Sequence, residues 1–353
     1  MKLLIGASPS KLFHMKEFSK ELEKNNITSK LVLDEGFVSG FPDRKISKWI
    51  SSKRKFKDLI NDVKPDLILV DRQKHFAKAA IESNIPVLMH LRGDFWSEIK
   101  WAKETIYNGF PKNIVIKKWE EMGRDCFDKS SMILPICKFL EKRVNEEVSN
   151  VKTSVMYQGI NPKNWFKTDG MKLKHPCVGI LQGATIWGKT KEMLLLSKIL
   201  QAHPEITFYW VGDGPYREKI TSVLSKFENF VWLGAMNYPD QVRNFLDEID
   251  VYGLISGIDM SPLTLQEAQL MKKPVLATNV GGVPELLKDN ETGYLINKGD
   301  HEGWIEKISL LLNDEKKSHQ MGSDGRKFVE ENFSWDVIAK KFTIDVQREL
   351  NLK

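Results

Sequence analysis

The sequence VYGLISGIDMSPLTLQEAQLMKKPVLATNVGGVPE, residues 251–285, contains the clearest structural pattern in this chain of 353 residues. Two short apolar runs, VYGLIS and PVLATN, flank a loop and a segment with the pattern of a helix that begins near Pro262. Proline is common in the first turn of a helix, where its missing N–H has no partner to lose. The order strand, helix, strand predicts a βαβ unit with parallel strands.

The same alternation of apolar runs and helical segments extends in both directions from this unit. The runs of the first half are KLLIG, SKLVLD, DLILVD, PVLMHL, MILPI and SVMYQ, and those of the second half are CVGILQG, TFYWVG, FVWLG, VYGLIS, PVLATN and GYLIN. Each set of six predicts a doubly wound parallel sheet. We therefore expect an α/β chain with two Rossmann-like domains and a ligand cleft between them.

A polar segment separates the two sets of apolar runs. Residues 161–176 carry a proline near each end, which is typical of a linker. The sequence predicts an N-terminal domain over residues 1–165, a C-terminal domain over residues 173–335 and a closing helix over residues 336–353.

Composition excludes several classes of protein. With 41% hydrophobic residues the chain can fill two cores, so a disordered or fibrous protein is not expected. Cys126, Cys137 and Cys177 form no CxxC pair, and we find no histidine at ligand spacing from any of them, so neither a disulfide framework nor a metal site is expected. The first apolar run is interrupted by Gly6 and Pro9, and no run approaches the ~20 residues of a bilayer span. We expect a cytoplasmic protein, either free or peripheral on the cytoplasmic membrane face.

The net charge of +6 is unevenly distributed. Residues 1–170 hold 31 Lys and Arg against 22 Asp and Glu, whereas the remainder holds 22 against 25. Much of the excess lies in residues 41–64, where eight basic and three acidic side chains alternate with aromatic and aliphatic ones. This pattern suits an anionic membrane surface, and a solvated helix face explains it equally well. We expect no nucleic-acid partner.

Ligands of open parallel sheets bind beyond the carboxyl ends of the strands, so the loops that follow the strands are where a site is expected. The first such loop of the second half is GATIWGK, residues 183–189, and it leads into an amphipathic pattern. Lys189 is predicted at or just before a helix N-terminus, where a cation opposes the helix dipole by about 0.3–1 kcal/mol. An anion supplied by a ligand would explain this lysine. A surface lysine that tolerates the cost is the alternative.

The loop after the next strand contains Gly212, Asp213 and Gly214 in the sequence GDGP. Two glycines allow a tight turn and a close approach of the backbone to a planar ligand. The same four residues are also common in ordinary turns.

The loop after VYGLIS leads into the helix that begins near Pro262. The backbone N–H groups around Ser261–Thr264 have no partner within the helix and can hold a phosphate. Asp259 lies in the loop and Glu267 lies eight residues later, so both carboxylates are predicted to border one phosphate-sized site. Such carboxylates can accept hydrogen bonds from sugar hydroxyls. A helix-terminal charge and a solvent-facing glutamate are the alternative interpretation.

Together these segments resemble the retaining glycosyltransferases of the GT-B fold, specifically glycosyltransferase family 4, which includes many lipid-linked mannosyl- and glucosyltransferases. The resemblance covers about residues 177–335 and rests on a lysine six residues after a glycine, the GDGP turn, the acid-x7-acid motif and the GGVPE loop of residues 281–285. The first half matches mainly through QGIN, residues 158–161, and through His90, which follows the strand PVLM.

The resemblance implies roles for individual residues. In this family the lysine clamps the donor diphosphate, the first acid contacts the donor sugar and the histidine lies against that sugar, which gives Lys189, Asp259 and His90 as catalytic residues. The second acid binds the ribose. The implied donor-binding residues are Gly183, Thr185, Gly212, Asp213, Ser261, Pro262, Leu263, Thr264 and Glu267.

The candidates of the first half lie after its predicted strands. Arg92 and Asp94 follow the strand that ends near His90, where they could face the second domain, although such a histidine is a core or turn residue as often as a ligand contact. Gly6 and Ser8 follow the first strand and could approach the phosphates, although the paired glycines common there in the family are absent.

Two positions depart from the family pattern. Ala184 stands where an arginine is usual, and Asp259 stands where the first acid is usually glutamate. A lost charge-assisted hydrogen bond is worth about 1.5–3 kcal/mol, whereas enzymes lower barriers by at least ~8 kcal/mol, so the missing arginine alone would slow an enzyme without silencing it. Aspartate keeps the charge and shortens the reach by roughly 1.5 Å, which can change the sugar that fits.

The resemblance implies transfer of a hexose-type sugar, with retention, from a UDP- or GDP-linked donor to a glycan or lipid-linked acceptor. No cofactor is expected. The chain contains no Asp-x-Asp sequence, so positive residues rather than a metal are expected to bind the diphosphate. Two alternatives stay open: a catalytically degenerate GT-B subunit that binds a partner, motivated by Ala184 and Asp259, and a sugar-nucleotide epimerase of related fold.

Overall fold

The computed structural model describes residues 1–43, 45–50 and 52–350, so Arg44 and Ser51 of the basic stretch lie outside the described residues. Contacts divide the chain into two compact units. Unit 1 consists of Met1–Gly159 and Trp335–Lys353, and unit 2 consists of Ile160–Ser334.

Unit 1 alternates strands and helices from its first residues. Its elements in chain order are β1 (Lys2–Ala7), α1 (Leu12–Lys24), β2 (Thr28–Leu33), α2 (Arg54–Val63), β3 (Leu67–Val70), α3 (His75–Ile81), β4 (Val87–Leu91), α4 (Phe95–Glu104), α5 (Lys112–Lys129), β5 (Met132–Pro135) and α6 (Lys138–Glu147). Short 3-10 helices cover Pro9–Lys11, Asp34–Gly36 and Ile46–Lys48.

All strand pairs of unit 1 are parallel, in the order β2-β1-β3-β4-β5. The strand order reverses direction at β1, which places the loops after β1 and β3 at the switch point where such sheets bind ligands. β3, β4 and β5 are buried along their whole length, as expected for a sheet covered by helices on both faces.

The prediction that SVMYQ forms a sixth strand of the first half is wrong. This segment runs beside β5 and donates two backbone hydrogen bonds to it, from Ser154 to Ile133 (3.2 Å) and from Met156 to Pro135 (2.9 Å). Among the described residues an isolated bridge, Ile133 with Thr153, accompanies them without a continuous ladder.

Unit 2 follows the same principle with one more strand. Its elements are β6 (Cys177–Leu181), α7 (Trp187–Thr190), α8 (Leu196–Ala202), β7 (Thr207–Val211), α9 (Arg217–Leu224), β8 (Phe230–Gly234), α10 (Asp240–Glu248), β9 (Val251–Leu254), α11 (Leu263–Leu270), β10 (Val275–Thr278), β11 (Tyr294–Ile296), α12 (His301–Asn313) and α13 (Glu315–Phe333). Further 3-10 helices cover Pro162–Asn164, Lys191–Leu195 and Val283–Glu285, and α14 (Trp335–Leu350) closes the described chain.

The six strands of unit 2 are parallel, in the order β11-β10-β9-β6-β7-β8. This is the doubly wound arrangement in which the first strand, β6, lies beside the fourth, β9. The core between this sheet and its helices includes Trp210, Phe208 and Trp304, all fully buried. The predicted α/β class with two Rossmann-like parallel sheets is therefore confirmed.

Two segments belong to units that their sequence positions do not suggest. The predicted linker, residues 161–176, is part of unit 2, where Trp165 is fully buried and the Thr168 amide donates to Asp247 (2.6 Å). The predicted closing helix is α14, which packs in unit 1: the rings of Trp335 and Phe342 lie 5.4 Å and 5.2 Å from the ring of Phe18 in α1.

Candidate functional site

The clearest candidate site lies at the switch point of the unit 2 sheet. β6 and β9 are neighbours there, so the loops that follow them emerge side by side at the carboxyl edge. These loops carry the predicted residues Gly183–Lys189 and Asp259–Thr264. Strand order therefore accounts for why distant parts of the sequence meet at this edge.

The structure brings Lys189 and Asp259 together. The ammonium of Lys189 donates a hydrogen bond to the carboxylate of Asp259, and the two side chains are 26% and 11% exposed. The backbone joins the loops as well, because the Gly257 amide donates to the Lys189 carbonyl (3.0 Å). α7 begins at Trp187, so Lys189 lies within its first turn. The sequence predicted this lysine at or just before the start of the helix, and that prediction is wrong.

The start of α11 offers donors beside this ion pair. No side chain in the described part of the chain caps this helix, and its first N–H groups, at Leu263 and Thr264, have no acceptor within the helix. The hydroxyl of Ser261 is buried and has no partner among the described residues. Thr264 is held by the Tyr252 hydroxyl (2.7 Å). A ligand oxyanion at this corner would supply the missing acceptors.

The GGVPE loop fixes the backbone that carries Asp259. The Gly282 amide donates to the Asp259 carbonyl (3.0 Å). Gly281 adopts a φ of +56°, and a Cβ atom there would lie 2.2 Å from the same carbonyl oxygen. A larger residue at position 281 would therefore displace Asp259.

The GDGP turn is explained mainly by packing within the unit. Gly212 has a φ of +149°, and a Cβ atom there would lie 2.0 Å from the carbonyl oxygen of Gln182, so the close approach is to the loop after β6 rather than to a ligand. The carboxylate of Asp213 accepts the Gly214 amide (2.7 Å). Ala184 is fully buried in the core of unit 2, so an arginine could not occupy its position without rearrangement. Gly183 and Thr185 on either side are exposed.

Glu267 is buried rather than solvent-facing. Its exposure is 2%, and burial raises its pKa to about 8, although a hydrogen bond from Tyr238 opposes that shift. Burial also raises the pKa of the Tyr252 hydroxyl, and the charges of Glu267 and Asp259 add to this effect. The Tyr252 hydroxyl, which donates to Thr264 of α11, thus lies close enough to both carboxylates to feel their charges.

The stability of the protein is expected to fall with rising pH because of Glu267. Its folded pKa of about 8 lies above its ordinary value of 4.5, so between these values the folded state holds a proton that the unfolded state releases. The contribution is at most about 1.4 kcal/mol per pH unit. In Glu267→Gln it should disappear, and thermal unfolding at pH 5.5 and 8.5 should show a smaller loss than in the unmodified chain. Glu228→Gln, at an exposed position of the same unit, should keep the full loss.

A second group of polar side chains lies at the carboxyl edge of unit 1. Asp71, directly after β3, accepts a hydrogen bond from the Ser8 hydroxyl (2.9 Å) and another from Nε of Arg92. A further guanidinium nitrogen of Arg92 donates to the Gln158 side chain. Burial alone would raise the pKa of Asp71, but Arg92, His90 and Ser8 together hold it below its ordinary value. Ser8 and Arg92, which were both predicted as site residues, thus lie together. Asp71, which connects them, was not predicted from the sequence.

The remaining candidates of unit 1 have structural explanations. His90 is 1% exposed, its Nε2 lies 3.2 Å from the Met156 carbonyl oxygen, and burial with the charge of Arg92 lowers its pKa to about 3. Asp94 caps α4 by accepting the Ser97 amide (3.2 Å). At Gly6 a Cβ atom would lie 2.3 Å from the Phe76 ring. Their roles toward a ligand stay predictions.

Three further side chains in or beside the loops after β6 and β9 were not predicted from the sequence. Gln182, which follows β6, and Thr190 are buried with side-chain atoms that lack partners among the described residues. Lys298, two residues after β11, donates to the Gly257 carbonyl (3.1 Å) and brings a second cation to the loop after β9. Position after a strand was a signal for Gln182 and Lys298, and Thr190 follows Lys189 directly.

The statement that no histidine lies at ligand spacing from a cysteine is wrong, whereas the expectation that the chain holds no metal stays a prediction. His175 stands two residues before Cys177, and their ligand atoms lie with that of Asp250 within 4.8 Å of one another. Hydrogen bonds to Asp250 (2.8 Å) and Glu248 (3.0 Å) occupy both ring nitrogens and raise the pKa of His175. The cluster lies at the amino end of β6, at the opposite edge of the sheet from Lys189.

Comparison with known proteins finds one family that matches part of unit 2. Residues 189–328 match the family described as Glycosyl transferases group 1. The N-acetyl-alpha-D-glucosaminyl L-malate synthase of Bacillus anthracis is 27% identical over 228 residues, which are 61% of this chain and 59% of the relative. The match thus spans less than two thirds of the length of that relative.

Solved structures extend the similarity to the whole chain. Sucrose-phosphate synthase from Thermosynechococcus elongatus superposes with a TM-score of 0.78 at 13% identity over 100% of both chains. Anabaena HepE in complex with UDP-glucose superposes with a TM-score of 0.72 at 15% identity over 99% of this chain and 100% of the other. At such low identity these matches show the fold alone. Residues 189–328 of unit 2 are therefore similar to the glycosyl transferases group 1 family, and the chain has the two-domain α/β fold of the GT-B glycosyltransferases.

Proposed function

We propose that this protein transfers a sugar from a nucleotide-diphosphate sugar to an acceptor hydroxyl, with retention at the anomeric carbon. The observation that carries the proposal is the contact of Lys189 with Asp259 beside the uncapped start of α11. A cation and unpaired N–H groups can bind a diphosphate, and a carboxylate can accept hydrogen bonds from a sugar. This arrangement offers both kinds of group in one place.

The diphosphate would take the place of Asp259 as the partner of Lys189. In this structure the carboxylate of Asp259 accepts a hydrogen bond from the ammonium of Lys189. When the donor binds, Lys189 and the N–H groups at Leu263 and Thr264 would face the phosphates and stabilise the negative charge that develops on the leaving group. Asp259 would then be free to accept hydrogen bonds from the donor sugar.

The acceptor hydroxyl would attack from the face that the leaving group departs from, and its proton would pass to a phosphate oxygen. The C–O bond to the diphosphate breaks as the new glycosidic bond forms, so the configuration is retained. No protein base is required for this step. Lys189, together with Lys298 near Gly257, would supply the positive charge that a divalent cation supplies in metal-dependent enzymes.

The comparisons support the choice of donor class. HepE, whose fold this chain shares, was crystallised with UDP-glucose, and the malate synthase relative is named for a glucosaminyl product. A UDP-linked donor is therefore the first to test, and a GDP-linked donor the second. A glycan or a lipid-linked saccharide is the proposed acceptor.

Incubation of the purified chain with UDP-glucose, UDP-N-acetylglucosamine and GDP-mannose tests the proposal. We expect one donor to raise the melting temperature, because a ligand at 100 times its dissociation constant adds about 2.7 kcal/mol of stability. The same donor should release its nucleotide with a suitable acceptor, and EDTA should not reduce the rate. Loss of activity in EDTA with recovery in magnesium or manganese would contradict the metal-independent mechanism.

The two alternatives give different results in this assay. A degenerate subunit, motivated by Ala184 and Asp259, would bind a donor without turnover of any donor tested. An epimerase would convert the sugar of the donor with no acceptor present. Only acceptor-dependent release of the nucleotide supports transfer.

We further propose that unit 1 contacts an anionic membrane surface on the cytoplasmic side, where a lipid-linked acceptor would be reached. Exposed apolar side chains lie next to the basic residues of the 41–64 stretch: Ile46 is 73% and Ile50 is 80% exposed, and Trp49 is also exposed. No helix among the described residues is long and apolar enough to cross a bilayer. Attachment by this route would therefore be peripheral.

Liposome flotation tests this attachment. We expect the chain to float with vesicles that contain phosphatidylserine and to stay behind with neutral vesicles, because each basic residue near an anionic surface contributes about 1 kcal/mol. Reversal of charge at Lys53, Arg54, Lys55 and Lys57 should abolish flotation. Equal flotation of this variant would remove the basis for the membrane proposal.

A further inference from the structure

Side chains with metal-binding atoms meet at the amino edge of the unit 2 sheet. His175 lies two residues before Cys177, the first residue of β6, and Asp250 directly precedes β9. β6 and β9 are parallel neighbours in which Val178 pairs with Val251, so the residues just before the two strands come together. Sheet topology thus brings an imidazole, a thiol and a carboxylate into one place.

The distances among these groups are close to those around a tetrahedral zinc ion. Nδ1 of His175 lies 3.7 Å from Sγ of Cys177 and 2.8 Å from Oδ2 of Asp250. One ligand atom from each of the three residues lies within 4.8 Å of the others. Zinc bonds of about 2.0–2.3 Å at tetrahedral angles separate such atoms by about 3.3–3.6 Å. Shifts of about 1 Å would therefore complete the geometry of a zinc site.

The imidazole and the carboxylate are also oriented as metal ligands are. Nε2 of His175 lies 3.0 Å from the carboxylate of Glu248, the contact that commonly fixes a metal-binding histidine through its far nitrogen. Glu248 is itself held, because its other oxygen accepts the Met171 amide (3.1 Å). Oδ2 of Asp250 accepts the Cys177 amide (2.7 Å), which holds this carboxylate beside the thiol. Nδ1 can therefore bind an ion while Nε2 keeps its carboxylate.

The surroundings of the cluster favour a cation. Asp247, Glu248 and Asp250 lie within four residues of the sequence. Lys273 is a positive group nearby, and its ammonium donates to the Asp247 carbonyl (2.6 Å). Burial lowers the pKa of Lys273, and the charges of the three acids oppose this shift. The side chains of His175 and Asp250 are 40% and 35% exposed, so an ion can reach them from solvent.

We propose that His175, Cys177 and Asp250 bind a zinc ion or a similar divalent transition metal, with water as the fourth ligand. This inference goes beyond the proposed function and replaces the expectation of a chain without metal. Nδ1 of His175 and the thiol of Cys177 each release a proton to solvent as the ion binds, since both must be deprotonated to act as ligands. Thiolate and imidazole ligands select zinc over magnesium and calcium. The ion would fasten the residues that precede β6 to the start of β9.

Cobalt provides a direct readout of the thiolate, because a cysteine bound to Co²⁺ gives a charge-transfer band in the near ultraviolet. We expect the full chain, treated with a chelator and carrying no histidine tag, to develop this band on addition of Co²⁺. Zinc should remove the band, because zinc binds such sites more tightly than cobalt does. Zinc at 100 times its dissociation constant should raise the melting temperature by about 5–10 °C, whereas magnesium should not change it.

Variants assign the ligands. Cys177→Ser should lose the band, whereas Cys126→Ala, at a buried cysteine of unit 1, should keep it. His175 is exposed, so His175→Gln is expected to fold, and it should lose both the band and the stabilisation by zinc. His319→Gln is the matched control, because His319 is exposed and pairs with a glutamate of the same unit. Glu248→Gln should keep the band and weaken cobalt binding about 10- to 100-fold, as expected of a group that only orients the histidine.

A chain that shows no charge-transfer band with cobalt would overturn the inference, as would a band or a stabilisation by zinc that His175→Gln leaves unchanged. The proposed sugar transfer does not use this site, which lies at the opposite edge of the sheet from Lys189. EDTA should therefore lower the melting temperature of the zinc-loaded chain without lowering the rate of transfer measured below that temperature. Neither the band nor the melting temperature depends on turnover, so the two proposals are tested separately.

Discussion

Lys189→Ala is expected to reduce kcat for sugar transfer by about 100- to 1,000-fold, the loss typical for removal of one group that stabilises transition-state charge. The physical reason is the contact of its ammonium with Asp259, which lies four residues before the first residue of α11. Because the charge on the leaving group grows during bond breaking, the loss should appear mainly in kcat. Initial rates across donor concentrations measure it.

Lys191→Ala is the matched control, since Lys191 is exposed and lies two residues away on the same segment. It should retain full activity. A Lys189→Ala variant with a raised donor KM but an unchanged kcat would show that the lysine only binds the donor, and would contradict its proposed role.

Asp259→Asn is expected to lower kcat/KM by about 10- to 150-fold, the equivalent of one charge-assisted hydrogen bond. The amide keeps the size of the side chain but loses the charge that Lys189 contacts and that the donor sugar would meet. Binding of UDP alone should be preserved, because UDP lacks the transferred sugar that Asp259 is proposed to contact. Calorimetry with UDP and initial rates with the complete donor separate the two effects.

Two further variants sharpen the result. Asp259→Glu restores the acid usual in the family and extends the reach by roughly 1.5 Å, so we expect transfer with a changed order of preferred donor sugars. Asp169→Asn, at an exposed acid of the same unit, should behave as the unmodified chain. Loss of UDP binding in Asp259→Asn would assign the carboxylate to the nucleotide instead of the sugar.

The fold could be predicted largely from the sequence because buried parallel strands leave continuous apolar runs. Eleven of the twelve runs are strands in the structure. SVMYQ is apolar in the same way, yet its backbone meets β5 through single hydrogen bonds. An apolar run becomes a strand only if it pairs with a neighbouring strand along its whole length. The local sequence pattern of the run contains no information about that pairing.

Site residues were identifiable where chain order determines their position. Lys189 and Asp259 follow strands that a doubly wound sheet places side by side, so the rule about carboxyl ends was sufficient. The same rule applied to DLILVD would have found Asp71, which directly follows β3.

The environment of Glu267 could not be predicted, because it depends on packing from another part of the chain. Gly325 of α13 lies against α11, so closely that a Cβ atom at this glycine would lie 3.3 Å from the Gln269 side chain, and this approach helps to bury the helix on all sides. A helix with polar residues at half of its eight positions gives no local sign of such burial.

The discontinuity of unit 1 has a consequence for synthesis. Phe18 emerges early from the ribosome, but Trp335 and Phe342, which cover it, are translated only after the whole of unit 2. Unit 2 is one continuous segment and can fold as soon as it is complete. The nascent N-terminal half therefore keeps the apolar face around Phe18 uncovered until α14 has been translated.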